Sequence, residues 1–429
     1  MLKRIYILLL ALILASCQTS GTRYRPSSVF TPKPSPIEEA EMVTPESFRV
    51  GVLLPLSGEA AAAGQGLKNA AMLALEDMGN QNLILQFYDT KSSPEGARIA
   101  AENAINQGVK LIVGPLMSTE VEAVSPISKR SNVPVVAFST NEKVLQPQVY
   151  TLGLLVGEQI ERIISYATMQ GRGRFALLLP DNSTGIVVAR ETMKAVNKNG
   201  GRVVKIAFYP PETNDFSSIV KSLTNYSGVA ENETGESKHG RRLDFDAVLI
   251  PETGSRLKSA TAMFGYYDVF SPDVMFLGTS VWENTKLNKE TTLNKAVYPT
   301  LSRNYSAYFN KKYHSLYGVY PNALSAFGYD AVALASSLSK KNTSNLDAAI
   351  TSADGFSGIN GTFRIFANGK NQHSIDVMQI TPKGDIVIDA AQRSFVLPAT
   401  DVGQMMSFSD MPIILGKSVE EFRTQVFEE

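Results

Sequence analysis

Short apolar runs alternate with segments of helical spacing from residue 48 onwards, and few folds accommodate this alternation. The run at 49–55 is apolar and ends at Pro55, which is typical of a fully buried strand. Residues 66–78 then carry apolar side chains at helical spacing, and strand-like and helical segments continue to alternate up to residue 137. Strands separated by helices of about 10 to 15 residues predict βαβ units and a parallel sheet.

The pattern starts again at residue 174 and continues to residue 277, which predicts a second sheet of the same kind. About 380 residues follow residue 47, which is too long for one compact core and suits two lobes. Within this second region, residues 225–242 are polar and are interpreted as a surface insertion. Loops at the carboxyl ends of parallel strands collect ligand groups, so we predict a cleft between two α/β lobes.

The first 17 residues have the features of a secretory signal. Lys3 and Arg4 precede the apolar run 5–15, which is too short to span a bilayer core of roughly 20 residues. The segment 14–17, Leu-Ala-Ser-Cys, resembles the lipobox of bacterial lipoproteins, and this resemblance implies that Cys17 is lipidated. An ordinary secretory signal with a chance cysteine is the alternative, but Cys17 is the only cysteine of the chain. Residues 18–47 are rich in Pro, Ser and Thr and predict a disordered tether.

The charge balance and the scarcity of reactive side chains exclude several functions. Lys plus Arg and Asp plus Glu number 41 each, so no basic excess attracts nucleic acid. The three histidines, at 239, 314 and 373, are widely spaced and lie near no serine or carboxylate motif. Neither a metal-ligand cluster nor a phosphate-binding loop is evident. We therefore expect a protein that is not an enzyme and that needs no cofactor or metal.

Six short segments together resemble the type I periplasmic binding proteins, in the branch that binds leucine, isoleucine and valine. They are Val-Leu-Leu-Pro-Leu-Ser-Gly at 52–58, Asp-Thr at 89–90, Gly-Pro-Leu-Met-Ser at 114–118, Ser-Thr-Asn at 139–141, Tyr-Asp-Ala at 329–331 and Gly-Thr-Phe-Arg-Ile-Phe-Ala-Asn-Gly at 361–369. The resemblance covers roughly residues 48–390. It implies an α/β fold of two Rossmann-like lobes with parallel sheets, joined by a three-strand hinge. The implied boundaries are 48–153 and 284–352 for lobe 1, 154–283 and 353–395 for lobe 2, and 396–429 for a C-terminal tail.

The resemblance also implies a set of ligand-binding residues. In amino-acid binders of this branch, hydroxyls of the first lobe hold the α-carboxylate, and Ser118, Ser139 and Thr140 occupy those places. A carboxylate of the second lobe meets the α-ammonium, and Glu252 follows a predicted strand at the matching position. The loop 181–185 adds Asn182 and Thr184 as further candidates for the cleft.

Each candidate also has a purely structural interpretation. Ser118 and Asn182 precede predicted helices and are suited to cap them, whereas Ser139 and Thr140 are suited to form turns. Glu252 can equally be a solvated loop acid. Two departures from the amino-acid binders bear on the pocket: residues 62–64 lack the usual aromatic, and Thr184 stands where tyrosine is frequent. Trp282 is a candidate to supply an aromatic wall instead.

A narrower resemblance, to the penicillin-binding protein activator lipoproteins, leads to the main functional prediction. It implies a regulator of peptidoglycan synthesis whose partner is a peptidoglycan synthase, with a small-molecule cleft inherited from the fold. Gln18 after the lipidated cysteine favours sorting to the inner face of the outer membrane, by resemblance to Gram-negative lipoproteins. The alternative is the substrate-binding receptor of an ABC transporter, with an amino acid as ligand and an ABC permease as partner.

Overall fold

The computed structural model describes residues 47–227, 229–231, 237–239, 243–302, 306–341, 343, 345–391, 394–395 and 411–428. The predicted signal peptide, the predicted lipidation site Cys17 and nearly all of the predicted tether lie outside these ranges. No helix within them combines the length and the apolar character that a membrane crossing requires.

The first part of the chain forms a parallel five-stranded sheet. Its elements are β1 (Phe48–Leu54), α1 (Ala61–Met78), β2 (Leu83–Asp89), α2 (Pro94–Asn106), β3 (Leu111–Val113), α3 (Ser118–Arg130), β4 (Val135–Ala137) and β5 (Val149–Thr151). The strand order is β2-β1-β3-β4-β5. Local sequence explains the element ends: before α2, the Ser93 hydroxyl accepts a hydrogen bond from the Gly96 amide at 3.1 Å, and Pro94 occupies the first turn.

Side chains of alternate residues on β1 enter two different cores. Val50, Val52 and Leu54 face one side, whereas Leu53 faces the helices α2 and α3 on the other. All four are buried, as expected for a parallel strand covered on both faces. Burial of each such side chain stabilises the fold by roughly 1.5–3 kcal/mol.

The second part of the chain begins a larger sheet. It comprises α4 (Val156–Met169), β6 (Arg174–Pro180), α5 (Ser183–Lys198), β7 (Arg202–Tyr209), α6 (Ser217–Leu223), β8 (Val229–Glu231), β9 (Ser237–His239), β10 (Ala247–Leu249), α7 (Gly254–Tyr266), β11 (Met275–Leu277) and β12 (Val297–Leu301). Strands β8 and β9 form a separate antiparallel pair within the predicted insertion. Short 3-10 turns lie at Glu142–Val144, Ser280–Asn284 and Thr291–Leu293.

The chain then returns to the first lobe before it completes the second. The returning elements are α8 (Ser306–Tyr317), α9 (Ser325–Lys341), α10 (Leu346–Ile350), β13 (Phe356–Gly358), β14 (Gly361–Ile365) and β15 (Asn371–His373). Helix α9 packs closely along α1, and Gly328 permits this approach because it has no side chain. A Cβ atom at this position would lie 2.3 Å from the carbonyl oxygen of Leu67. Strands β13-β14-β15 form a small antiparallel sheet whose Phe363 joins the core of the first lobe.

The last elements complete an eight-stranded sheet. They are β16 (Ile375–Gln379), β17 (Ile386–Asp389), β18 (Ile413–Leu415) and α11 (Val419–Arg423), followed by a π-helical turn at Thr424–Glu428. The strand order is β17-β16-β12-β11-β10-β6-β7-β18, with β16 and β17 antiparallel to their neighbours. The chain passes between the two large sheets three times, after β5, β12 and β15. The predicted α/β class with two parallel-sheet lobes is therefore confirmed.

The structure corrects the predicted lobe boundaries at three places. Strand β12, assigned to lobe 1 within 284–352, lies in the second sheet, where Val297 pairs with Leu277. Strands β13 to β15, assigned to lobe 2 within 353–395, pack on α9 of the first lobe instead, because Phe363 and Ile365 are buried in its core. The predicted tail 396–429 contains β18, which pairs in parallel with β7.

Candidate functional site

The predicted ligand residues lie at the carboxyl ends of strands that are neighbours in their sheets. Ser118 follows β3, and Ser139 and Thr140 follow the adjacent β4. In the second lobe, Asn182 and Thr184 follow β6, and Glu252 follows the adjacent β10. The structure therefore gathers the six candidates into two groups, one at the edge of each sheet where the carboxyl ends of its parallel strands lie. In addition, these edges contain five polar residues that the sequence analysis did not name as ligand residues: Ser57, Asp89, Glu120, Tyr209 and Arg256.

Ser118 lies in the first turn of α3 and does not cap it. The carboxylate of Glu120 accepts a hydrogen bond from the Met117 amide at 3.1 Å and so performs the capping role. Glu120 is buried, and it also accepts a hydrogen bond from the Thr90 hydroxyl at 2.7 Å. Burial raises its pKa. The half-buried Ser118 hydroxyl has no hydrogen-bond partner within the described residues, so it can donate to a ligand.

In the neighbouring loop after β4, one candidate, Ser139, stabilises the loop, and the other, Thr140, is exposed at the surface. Ser139 is buried, and its hydroxyl accepts a hydrogen bond from the Asn141 amide at 3.2 Å. Its carbonyl oxygen accepts a further hydrogen bond from the Thr151 hydroxyl. Thr140 is exposed, and its hydroxyl is unpartnered in the part of the chain that the structure describes. Ser139 thus shapes the turn, as one of the two sequence interpretations held, and Thr140 is a second free donor.

Asp89 fixes the turn that follows β1 at the same edge. Its carboxylate accepts hydrogen bonds from the Leu56 amide at 2.9 Å, the Ser57 amide at 3.1 Å, the Ser57 hydroxyl at 2.6 Å and the Lys91 amide at 2.8 Å. Partial burial opposes ionisation, but these hydrogen bonds hold the pKa of Asp89 below its usual value. Asp89 therefore stabilises the turn after β1 as a charged acceptor, and its own hydrogen-bonding capacity is used within that turn.

In the second lobe, the loop after β6 has an exposed polar surface. Asn182 caps α5, because its Oδ1 atom accepts a hydrogen bond from the Gly185 amide at 3.0 Å. Thr184 is exposed in the first turn of that helix. Asp181 forms an ion pair with the nearly buried Lys417 at 2.5 Å. The capping interpretation of Asn182 therefore applies, and both Asn182 and Thr184 are exposed.

Glu252 is neither free nor solvated. Its Oε2 atom accepts hydrogen bonds from the Tyr209 hydroxyl at 2.8 Å and from the Arg256 guanidinium at 2.6 Å, and Oε1 accepts one from the Thr253 amide at 3.0 Å. Its side chain is 13% exposed. Neither sequence interpretation of Glu252 anticipated this engagement, although the four-residue spacing to Arg256 is the spacing of a helical ion pair.

Trp282 does not supply an aromatic wall. Its side chain is fully buried, and its indole Nε1 donates a hydrogen bond to the Ile250 carbonyl oxygen at 3.1 Å. A Cβ atom at Gly278 would lie 2.1 Å from the indole, so the ring occupies the space that this glycine leaves. The tryptophan is therefore part of the hydrophobic core of the second lobe. Across the described residues, no group of three His, Asp or Glu side chains is arranged to hold a metal ion.

Comparison with known proteins gives one family match that covers most of the chain. A family model described as periplasmic binding protein matches residues 47–385. A Leu/Ile/Val-binding protein homolog of Brucella abortus is 24% identical over 184 residues, which cover 41% of this chain and 47% of that protein. The chain thus spans about half the length of the curated relatives that it matches.

Two solved structures share the fold at low sequence identity. A putative branched-chain amino acid ABC transporter from Rhodospirillum rubrum superposes with a TM-score of 0.68 at 18% identity, covering 80% of this chain and 100% of that chain. An ABC-transporter solute binding protein from R. palustris, in complex with benzoate, superposes with a TM-score of 0.54 at 15% identity, covering 81% and 97%. At these identities the likeness establishes the two-lobed fold.

Proposed function

The chain belongs to the family of periplasmic binding proteins, and from this premise we propose that it is the solute-binding receptor of an ABC importer. Its solute is a small molecule that bears a carboxylate. This is the function that the sequence analysis held as its alternative. The comparisons give no support to the main prediction, a regulator of peptidoglycan synthesis. Membership of a family of binding proteins agrees with the prediction that the chain is not an enzyme.

One observation carries the proposal: two hydroxyl groups at the edge of the first sheet have no partner among the described residues. Ser118 lies in the first turn of α3, a helix of 13 residues, and Thr140 follows the neighbouring strand. Hydroxyl donors and a helix N-terminus together favour an anion. The comparisons support this ligand chemistry, because the Brucella relative is named for amino acids and the R. palustris structure holds benzoate. Both kinds of ligand carry a carboxylate.

We also propose that the receptor is periplasmic and lipid-anchored through Cys17. The predicted signal and lipobox support this proposal. An importer's receptor must reach a permease in the inner membrane, whereas Gln18 favours sorting to the outer membrane. A tether of some 30 residues extends to roughly 90 Å at most. The membrane in which the chain is anchored therefore distinguishes the two hypotheses. An anchor in the inner membrane favours the importer receptor, and an anchor in the outer membrane favours a partner of a peptidoglycan synthase.

Thermal unfolding of the purified full chain tests the proposed function. The ligand panel contains amino acids, their deaminated acids, aromatic acids and muropeptides. A ligand at 100 times its Kd is expected to stabilise the chain by about 2.7 kcal/mol. A hydrogen bond to a charged group contributes about 1.5–3 kcal/mol, so Ser118→Ala and Thr140→Val should each weaken binding by about tenfold or more.

A matched control is Ser315→Ala, an exposed serine on α8 of the same lobe, which should leave affinity unchanged. The unliganded stability of the two site variants should also match wild type, because neither hydroxyl has a partner within the described residues. If no carboxylate of the panel binds, or if both site variants bind as wild type does, the proposed function is wrong.

A further inference from the structure

An ion pair occupies the place where the second lobe would offer an acid to a ligand. The Glu252 carboxylate and the Arg256 guanidinium are 2.6 Å apart, and their side chains are 13% and 29% exposed. They lie at the carboxyl end of β10 and in the first turn of α7, at the edge of the sheet where ligands bind in this type of fold. Because the two charges cancel, this part of the edge offers no net negative charge.

The pair is held in place from several sides. The Arg256 guanidinium also donates a hydrogen bond to the Pro211 carbonyl oxygen, and it lies 5.8 Å from the centre of the Tyr209 ring. The Tyr209 hydroxyl donates to Glu252 at 2.8 Å, and Tyr209 itself is buried. A ligand ammonium that approached Glu252 would have to displace the guanidinium from these contacts or share the carboxylate with it. Separating a half-buried pair leaves a charge without its partner, which is unfavourable.

Two other acids near this edge are engaged as well. Asp181 is paired with Lys417 at 2.5 Å, and Glu283 accepts a hydrogen bond from the Thr300 hydroxyl at 2.7 Å. Glu212, in the loop after β7, is exposed to solvent, where water screens its charge. A ligand ammonium enclosed in the cleft requires a paired negative charge. Glu252, Asp181 and the exposed Glu283 are therefore all paired or hydrogen-bonded already.

We propose that Arg256 is a specificity-determining residue that excludes α-ammonium groups, so that the solute is a carboxylic acid without an adjacent amine. This inference rests on the proposed function and narrows its ligand class. The hydroxyl donors of Ser118 and Thr140 bind the carboxylate on the first lobe. The neutral pair on the second lobe accommodates an uncharged remainder of the solute, such as an aliphatic or aromatic group, without leaving a buried charge unpaired.

Calorimetric titration of the full chain with matched ligand pairs tests the inference. Each pair differs by one amine: leucine with 4-methylpentanoate, and phenylalanine with 3-phenylpropanoate; benzoate is added as an aromatic acid. Wild type should bind at least one of the acids, and at least 100-fold more tightly than any amino acid of the set. In Arg256→Gln the Glu252 carboxylate is released, so amino-acid affinity should rise by at least tenfold. Arg256→Lys retains the positive charge and should keep the wild-type preference.

Two controls identify the group that acts. The double variant Arg256→Gln/Glu252→Gln should lose the gain in amino-acid affinity, because the released acceptor is gone. Glu212→Gln alters a solvated acid in the same lobe and should change neither affinity nor preference. Circular dichroism and the unliganded Tm establish that each variant folds. If Arg256→Gln fails to fold, the wild-type comparison of the ligand pairs still decides the question.

The outcomes separate the inference from the function on which it rests. If wild type prefers the amino acid of a pair, and this binding is lost in Glu252→Gln, the inference is wrong and the receptor function stands. A gain of amino-acid affinity in Arg256→Lys equal to that in Arg256→Gln would likewise overturn it. If no compound of the set binds, the proposed function itself fails.

Discussion

At the scale of single side chains, Asp330 is an ionisable residue that the fold buries. It lies on α9, and its carboxylate accepts hydrogen bonds from the Ile359 amide at 2.5 Å and the Asn360 amide at 3.3 Å. The residue thereby ties α9 to the turn between β13 and β14. Burial raises its pKa to about 7, although both hydrogen bonds act in the opposite direction.

The raised pKa of Asp330 makes stability depend on pH in a defined direction. Between its ordinary value of 3.8 and about 7, the folded chain keeps a proton that the unfolded chain releases. The free energy of unfolding should therefore fall as pH rises through this window, by at most ~1.4 kcal/mol per pH unit from this residue. Urea unfolding at pH 5, 6, 7 and 8 measures the slope. Asp330→Asn should flatten it, while the raised pKa of buried Glu158 acts equally in both proteins; parallel slopes would contradict the assignment.

The sequence predicted where candidate residues lie better than what they contact. The positions of Ser118, Thr140 and Glu252 at strand ends follow from the strand–helix alternation, and the structure places them there. The hydrogen-bond partners of Glu252 could not be predicted from this alternation. The spacing to Arg256 is local and could have indicated a pair, but the Tyr209 hydroxyl comes from 43 residues away. Contacts of that range depend on tertiary packing, which no local pattern encodes.

At the scale of elements, the C-terminal segment is part of the second lobe rather than a tail. Strand β18 extends the large sheet beside β7, and Phe422 of α11 is fully buried. The ring of Phe422 lies 6.0 Å from that of Phe208. Ser418 caps the short helix, with its hydroxyl accepting a hydrogen bond from the Glu421 amide at 3.1 Å. The segment therefore covers apolar surface of β7 and α5.

Truncation of the Phe422 side chain should destabilise the whole second lobe. Phe422→Ala removes a buried ring and leaves a cavity, so we expect a loss of about 3–5 kcal/mol in the free energy of unfolding. Chemical denaturation measures this loss. The matched control is Val419→Ala on the same helix, whose side chain is 47% exposed and whose loss should stay within about 0.5 kcal/mol. Equal stability of the two variants would mean that the segment does not pack in solution as the structure shows.

Element boundaries were the part of the fold that the sequence predicted least well. Strand β18 spans three residues, which is too short for a periodic signal, and the sequence assigned these residues to a tail. Strand β12 was placed in the wrong lobe because its membership depends on pairing with β11 and β16, not on its own composition. The predicted helix 66–78 ends where α1 ends, but it begins five residues after the start of α1 at Ala61.

At the scale of the whole molecule, side chains cross-link the segments that pass between the two sheets. The Asn371 side chain on β15 donates hydrogen bonds to the Thr151 carbonyl at 3.0 Å and the Gly153 carbonyl at 2.8 Å. Glu158, at the start of α4, accepts hydrogen bonds from the His373 amide at 3.0 Å and pairs with its ring at 3.1 Å. The first and third crossings are therefore joined to each other. A change in lobe angle on ligand binding must move these segments together.

The proposed lipid anchor at Cys17 determines whether the whole molecule is attached to a membrane. Cys17→Ser removes the lipidation site, so the chain should move from the membrane fraction to the soluble periplasmic fraction, and labelling with a fatty acid analogue should disappear. Retention of both the membrane association and the fatty acid label would show that Cys17 is not lipidated.

Density-gradient separation of the wild-type membranes then tests the proposed importer function. The receptor should accompany the inner membrane, because a tether of roughly 90 Å at full extension leaves an outer-membrane receptor at the limit of its reach. Recovery with the outer membrane, as Gln18 alone would predict, would favour a partner of the peptidoglycan synthase instead.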